Sequence, residues 1–181
     1  EALDSALGQD PEGIGKLGMA MAVAQAVNRI PDAPEKDAKN LRQIAALQHP
    51  DIHVVMPIYS RRSGGSSDTV DDFLPEFREA IGQNLYLDAA GWANALGDKA
   101  KQLRIYIQDM RQLQQKVQLR PYQARQKVVI IWQADLMNVQ AANSFLKLLE
   151  EPPEDTLLVL TIDSSAELLA TIRSRVQRYQ L

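Results

Sequence analysis

The sequence predicts an α/β fold, a three-layer sandwich built around a mainly parallel sheet. Residues 128–131 are four consecutive β-branched residues, and a run without polar alternation suits a strand covered on both faces. A helical stripe of apolar residues follows and ends at Pro152 and Pro153, which stop a helix. The apolar run 157–160 comes next. A strand, a helix and a strand in this order imply a parallel pair with a right-handed crossover.

The other elements are predicted in chain order from periodicity and from turn residues. Predicted helices cover residues 17–27, 36–48, 69–81, 109–117 and 166–173. Predicted strands cover residues 52–56, 105–107 and 176–180, with a short extended piece at 85–87. The Gly- and Ser-rich residues 61–68 are predicted to form a flexible loop. Residues 1–9 do not have the pattern of a strand.

The composition is that of an ordinary globular domain. The chain has 181 residues, of which 45% are hydrophobic and 24% charged, enough for one sizeable α/β domain. It contains no apolar stretch long enough to span a bilayer and no signal peptide, so we expect no membrane partner and a cytoplasmic location. The absence of cysteine excludes disulfides and thiolate metal sites. A net charge of −3 argues against holding DNA by bulk electrostatics.

An altered phosphate-binding loop lies near the start of the chain. Against the pattern G-x-x-x-x-G-K-[ST], Gly15 and Lys16 fall in place and Gly13 is an additional glycine, but Asp10 replaces the first glycine and Leu17 the hydroxyl residue. Lys16 could reach outer phosphates, whereas leucine cannot ligate Mg²⁺ and an aspartate brings negative charge towards an anion. We interpret the segment as a phosphate loop that has lost its function. A plain helix N-terminus with a glycine turn is the alternative.

Several positions towards the end of the chain occur in a known order. They are Asn143, the run Leu-Lys-Leu-Leu-Glu-Glu-Pro-Pro at 146–153, a strand ending in Thr161, and the pair Ser174-Arg175. In this respect the chain resembles the bacterial clamp-loader subunits, which are AAA+ proteins, and the resemblance covers residues 10–177. It implies a P-loop NTPase-like nucleotide-binding domain in degenerate form over residues 1–181, with lid and collar domains following.

Within this family the chain is most similar to the delta-prime branch, because the catalytic carboxylates are missing. Family members that hydrolyse ATP end the strand at 128–131 with an Asp-Glu pair, which supports Mg²⁺ and orients the attacking water. Trp132 and Gln133 stand there instead, and neither side chain can do this chemistry. Asp135 comes after the strand end and is a poor substitute. We therefore expect no ATPase activity, no cofactor and no metal.

The resemblance assigns roles to two further positions. At Thr161 the family keeps a polar residue that senses the γ-phosphate; without a nucleotide, we favour a threonine that satisfies backbone groups at a strand end. The pair Ser174-Arg175 implies an arginine supplied to the ATP site of a neighbouring subunit. Val176 stands at the family's usual cysteine, which leaves the guanidinium chemistry unchanged. On its own, Arg175 could simply complement a helix C-terminus.

The two histidines, His49 and His53, are possible zinc ligands. Relatives commonly carry a four-cysteine zinc module in this part of the chain, but this sequence has none of those cysteines. Two histidines without a third ligand are more often structural. We therefore predict no zinc.

By resemblance, the expected function is that of a non-hydrolysing stator in the DNA polymerase III clamp loader. The implied partners are the ATPase subunits and the delta subunit, with the sliding clamp and primed DNA reached through the complex. The chain would thus belong to a DNA-directed DNA polymerase holoenzyme without being an ATPase. Two alternatives remain: an ATP-hydrolysing gamma/tau-like subunit, and a non-replicative AAA+ protein that uses ATP as a structural ligand.

Overall fold

A parallel sheet organises the chain. The computed structural model describes residues 5–9, 15–59, 68–84, 86–97, 102–163 and 168–180. In this part of the chain the sheet has five strands in the order β2-β3-β4-β1-β5, and every neighbouring pair is parallel. The strands are β1 (Ser5–Gln9), β2 (Ile52–Val55), β3 (Lys127–Ile131), β4 (Thr156–Ile162) and β5 (Gln177–Gln180).

Helices cover both faces of this sheet. They are α1 (Lys16–Val27), α2 (Pro34–Ala45), α3 (Val70–Gln83), α4 (Ala89–Ala95), α5 (Ile107–Val117), α6 (Val139–Glu150) and α7 (Ala170–Arg173). The connection from β1 to β2 runs across the sheet in one direction, and the connections from β2 through β3 to β4 run back. Because parallel crossovers are right-handed, α1 and α2 lie on one face and α3 to α6 on the other. The predicted three-layer α/β sandwich is confirmed.

The core lies where these layers meet. Every residue of β3 and β4 is buried, as the unbroken apolar runs predicted. Phe77 of α3 packs between Trp92 of α4 and Trp132, with ring centroids 5.1 and 5.3 Å apart. The indole N–H of Trp92 donates to the carbonyl of Pro57 at 2.7 Å, so its buried polar atom is satisfied.

The first strand corrects a sequence prediction. Residues 1–9 were expected not to form a strand, yet Ser5–Gln9 is β1 and pairs with β4 on one side and β5 on the other. Its composition, Ser-Ala-Leu-Gly-Gln, has low strand propensity. Hydrogen bonding on both sides overrides that propensity.

Two predictions around the third helical layer were also wrong. Residues 105–107 are not a strand: Arg104 and Ile105 form only isolated bridges, and α5 already begins at Ile107. Asp109 accounts for the early start, because its carboxylate accepts the N–H of Tyr106 and closes a capping box. The extended piece at 85–87 is not observed at Tyr86, which lies in a turn, and α4 follows without having been predicted.

The remaining predicted elements are present with shifted boundaries. The predicted helix 166–173 begins only at Ala170, because Leu169 has the dihedrals of a flanking residue, φ −54° and ψ 135°. The predicted loop 61–68 lies outside the described residues except for Asp68, and so does residue 85. No helix in the described ranges is long and apolar enough to cross a membrane.

Candidate functional site

The carboxyl ends of β1, β3 and β4 meet at one edge of the sheet. Chain direction reverses between β1 and β4, and the crevice at such a switch point is where open α/β sheets bind ligands. Lys16 opens α1 just beyond β1, Gln133 and Asp135 follow β3, and Thr161 and Asp163 lie at the end of β4. The fold therefore brings the altered phosphate loop together with the strand-end residues singled out in the sequence.

Lys16 is committed to an internal ion pair. Its ammonium donates to Asp163 Oδ1 at 2.7 Å and to the carbonyl of Ile162 at 2.8 Å. The side chain is only 3% exposed. A buried ammonium needs a negative partner, and Asp163 supplies it from the chain itself. The lysine expected to reach outer phosphates is thus engaged with a carboxylate.

The loop residues around Lys16 are built for packing rather than for metal binding. Gly15 has φ +80°, a left-handed conformation that favours glycine, and a Cβ placed there would lie 3.7 Å from the ring of Tyr86. Leu17, at the position of the metal-binding hydroxyl, is 1% exposed and belongs to the hydrophobic core. Gly13 and Asp10 lie outside the described residues.

Trp132 and Gln133 end the strand that would carry the catalytic carboxylates. Trp132 is buried against Phe77, and Gln133 is 3% exposed with a left-handed backbone, φ 56°. The amide Nε2 of Gln133 donates to Asp163 Oδ2 at 3.2 Å. Both side chains are therefore held in the interior, and neither offers a carboxylate to a metal ion or to a water molecule.

Thr161 and Asp135 satisfy backbone groups around this cluster. The hydroxyl of Thr161 accepts the N–H of Gln133 at 3.1 Å, as in a threonine that caps a strand end. Asp135 lies in a 3₁₀ turn, Ala134–Leu136, and its Oδ2 accepts the N–H of Asp163 at 3.2 Å. These bonds tie the end of β3 to the end of β4.

Asp163 is the member of this cluster that sequence analysis missed. It binds Lys16 and Gln133 through its two oxygens and receives a bond from its own N–H to Asp135. Its position directly after β4 is a usable signal, because carboxylates at the carboxyl ends of parallel strands face the switch-point crevice. Its ion pair with Lys16 joins residues far apart in the chain and cannot be read from either segment alone.

Ser174 and Arg175 form a separate, exposed feature after α7. The Arg175 guanidinium contacts Glu150 Oε1 at 2.8 Å, the carbonyl of Thr171 at 2.9 Å and the hydroxyl of Ser174 at 3.3 Å. Its side chain is 40% exposed. These contacts connect it to α6 and α7, and none of them involves the Lys16 cluster.

The histidines lie along a cavity of about 530 Å³ beside the edge strand β2, away from the Lys16 cluster. His49 Nδ1 accepts the N–H of Asp51, and burial lowers the pKa of His49. Burial likewise lowers the pKa of His53 to about 4. In the described ranges no group of three or more His, Cys, Asp or Glu side chains could hold a metal ion.

A family model described as "DNA polymerase III, delta subunit" matches residues 3–181. The chain belongs to this family. Among individual proteins it is similar to the DNA polymerase III subunit delta' of Bacillus subtilis (strain 168), with 28% identity over 168 residues. That match covers 92% of this chain and 38% of the relative. The subunit delta' of Haemophilus influenzae is 42% identical over 77 residues, 42% of this chain and 24% of the relative.

Subunits named gamma/tau also match members of this family, here over a shorter stretch. The DNA polymerase III subunit gamma/tau of Mycobacterium tuberculosis is 33% identical over 73 residues, 40% of this chain and 13% of that protein. A solved structure of a gamma subunit-related protein from Thermotoga maritima aligns over 92% of this chain and 45% of its own, with a TM-score of 0.46 and 22% identity. The chain thus spans less than half the length of each of these relatives.

Proposed function

We propose that the chain is a clamp-loader subunit domain that keeps the ATPase fold and does not hydrolyse ATP. One observation carries the proposal: the phosphate-loop lysine, Lys16, is paired with the chain's own Asp163 at 2.7 Å. The crevice that would receive the nucleotide is therefore neutralised from within.

The chemistry around this pair supports the same conclusion. Phosphoryl transfer to water needs Mg²⁺ on the phosphates and a group that orients the water. Leu17 and Trp132 are buried hydrophobic side chains at the metal-binding positions, and Gln133 is a hydrogen-bond donor to Asp163 at the water-orienting position. All three parts of the reaction are missing together.

The wider role proposed is that of a stator in the loader of DNA polymerase III. The names of the relatives, subunit delta' and subunit gamma/tau, support membership in that assembly. In this role the chain works beside ATPase subunits and the delta subunit, and acts on the sliding clamp and primed DNA through the complex. It belongs to a polymerase holoenzyme and has no ATPase activity of its own.

Arg175, with Ser174, is proposed to act on the ATP site of a neighbouring subunit. An arginine supplied in trans stabilises the charge that develops on a transferring phosphoryl group. The exposure of Arg175 and the three contacts that orient its guanidinium support this role. Its place outside the Lys16 cluster also fits action on another chain.

A melting experiment with Mg·ATP tests the central point. A ligand at about 100 times its Kd stabilises a fold by about 2.7 kcal/mol, and each kcal/mol raises Tm by about 2–4 °C for a domain of this size. We expect no shift for this protein and a rise of several degrees for a gamma/tau subunit measured as the positive control. A comparable rise here would contradict the proposal and favour the ATP-hydrolysing alternative.

A further inference from the structure

The ion pair between Lys16 and Asp163 is unequally exposed. The side chain of Lys16 is 3% exposed, whereas that of Asp163 is 42% exposed. The cation therefore lies in the interior and its negative partner lies at the surface. Removal of the carboxylate leaves a buried ammonium facing an opening that solvent can reach. A buried charge without a partner is strongly unfavourable, so that opening attracts anions.

Donors from two elements converge on the Asp163 carboxylate. Oδ1 accepts from the Lys16 ammonium at 2.7 Å, and Oδ2 accepts from the Gln133 amide at 3.2 Å. Charge-assisted bonds to two oxygens of one anion are the contacts by which proteins also hold a phosphoryl group. The N-terminus of α1, which begins at Lys16, adds positive dipole charge, and its first turn contains no acidic residue.

A second observation marks the same place. Gln133 is 3% exposed, and its Oε1 has no hydrogen-bond partner in the part of the chain that the structure describes. A buried acceptor without a partner is costly. The amide nitrogen of the same group already reaches Asp163, so the unsatisfied oxygen borders the carboxylate. A protonated phosphate oxygen is a donor that can satisfy it.

We propose that Asp163 fills an anion site from within and is the residue that excludes phosphate-bearing ligands from Lys16. The ligand class of the opened site is a polyphosphate, because its donors are an ammonium, an amide and a helix N-terminus. A group tethered in the chain competes at an effective concentration of about millimolar or higher, so a weakly bound free anion does not displace it. The inference rests on the proposed function only in that the unaltered protein holds no nucleotide.

The test opens the site and offers it inorganic pyrophosphate. Asp163→Asn removes the charge at nearly constant size, and Asp163→Ala removes the whole carboxylate. We expect millimolar pyrophosphate to raise Tm by several degrees in both variants and to give a saturable heat of binding in titration calorimetry. The unaltered protein should show neither effect, with sodium chloride at equal ionic strength as the reference.

Two matched controls separate this site from general charge effects. Asp32→Asn makes the same chemical change at an exposed position and should behave like the unaltered protein. Adding Lys16→Met to Asp163→Asn should abolish the pyrophosphate response. If Asp163→Ala does not fold, Asp163→Asn decides the question.

Folded Asp163 variants that do not respond to pyrophosphate would overturn the inference. So would an equal response of the unaltered protein, because Asp163 would then exclude nothing. Stabilisation of the unaltered protein by Mg·ATP is a separate result, which contradicts the proposed function. Silent Asp163 variants beside a silent unaltered protein contradict only the role of Asp163.

Discussion

Gln133 is the residue whose chemistry most sharply separates this crevice from a hydrolytic site. Its buried amide donates to Asp163 Oδ2 at 3.2 Å. We expect Gln133→Glu to show no ATPase activity, because Leu17 and Trp132 still supply no metal ligand. The variant should also lose about 1–3 kcal/mol of stability, since a second carboxylate replaces a donor beside Asp163. Phosphate release assays and denaturant unfolding measure the two effects.

The pH dependence of that loss distinguishes charge repulsion from lost packing. In the Gln133→Glu variant, each of the facing carboxylates raises the pKa of the other. The penalty is therefore largest at neutral pH and shrinks as one of them is protonated on acidification. Gln133→Leu removes the amide without adding charge, and its loss should not shrink in this way. Measurable ATP turnover by Gln133→Glu alone would contradict the account of the site.

His53 makes stability depend on pH in the mildly acidic range. Burial lowers its pKa to about 4; the nearby cations Lys116 and Lys127 lower it further, and Asp51 and Asp71 oppose them. The unfolded chain binds a proton near pH 6.5 and the folded chain near 4, so the histidine's contribution is full above 6.5 and is lost as pH falls towards 4. The expected loss is about 3 kcal/mol across that window.

His53→Gln should flatten this dependence. We expect urea unfolding at a series of pH values from 7.5 to 4, chosen to span roughly both pKa values, to give a shallower slope for the variant. A remaining slope is expected from His49, whose pKa burial also lowers. Identical slopes for the variant and the unaltered protein would show that His53 is not held neutral by the fold.

The identities of the site residues could be read from the sequence, but their partners could not. Leu17, Trp132 and Gln133 fall at recognisable positions, and each excludes a defined chemical task. The sequence could not show that Lys16 pairs with Asp163, because that bond depends on β1 and β4 lying side by side. Local patterns describe neighbours along the chain, whereas this ion pair is set by strand order.

At the scale of elements, Asp51 fixes the segment that leads into β3. Its carboxylate accepts the backbone N–H groups of Tyr122, Gln123 and Ala124, each at 2.7 Å. Burial raises the pKa of this carboxyl, but the three donors outweigh it and hold the pKa below its usual value. The segment before β3 therefore depends on a residue that immediately precedes β2.

Asp51→Ala should cost about 2 kcal/mol, because three backbone donors lose a charged acceptor. The loss should be accompanied by faster hydrogen exchange at the amides of residues 122–124. Asp32→Ala is the matched control, since it removes an exposed aspartate and should stay within about 0.5 kcal/mol. Superimposable unfolding curves for Asp51→Ala and the unaltered protein would refute the anchoring role.

Strongly patterned elements were predictable, and elements decided by tertiary contacts were not. The apolar runs of β3 and β4 and the stripe of α6 each determine their own structure. β1 has no such pattern and becomes a strand only between two neighbours. At residues 105–107 a local cap decided against the apolar run, because Asp109 begins the helix two residues earlier than its periodicity indicates.

At the scale of the whole molecule and its assembly, Arg175 is the residue proposed to act outside this chain. Its ion pair with Glu150 joins two partly exposed side chains, so Arg175→Ala should change stability by less than about 1 kcal/mol. In an assembled loader the variant should slow the clamp- and DNA-stimulated ATPase. Arg175→Lys should slow it too, because it keeps the charge but loses the forked donor set.

Glu150→Gln serves as the control for the ion pair. It removes the charge partner of Arg175 and leaves the guanidinium in place, so a stability change shared by both variants belongs to the pair alone. Loader ATPase and thermal melting are measured on the same preparations. If the Arg175→Ala loader assembles and turns over ATP at the unaltered rate, the arginine only completes the end of α7.

The pairing of β1 has a consequence for biosynthesis. Ala6 lies beside Val159 on one side and Gln177 on the other, so the first strand to leave the ribosome waits for the last two. Until then β2, β3 and β4 can associate, but β4 keeps an unpaired edge that can recruit other nascent chains. Contacts this distant along the chain slow folding. Completion of the sheet therefore follows release of the C-terminal strand, and truncation before β5 leaves β1 with one open side.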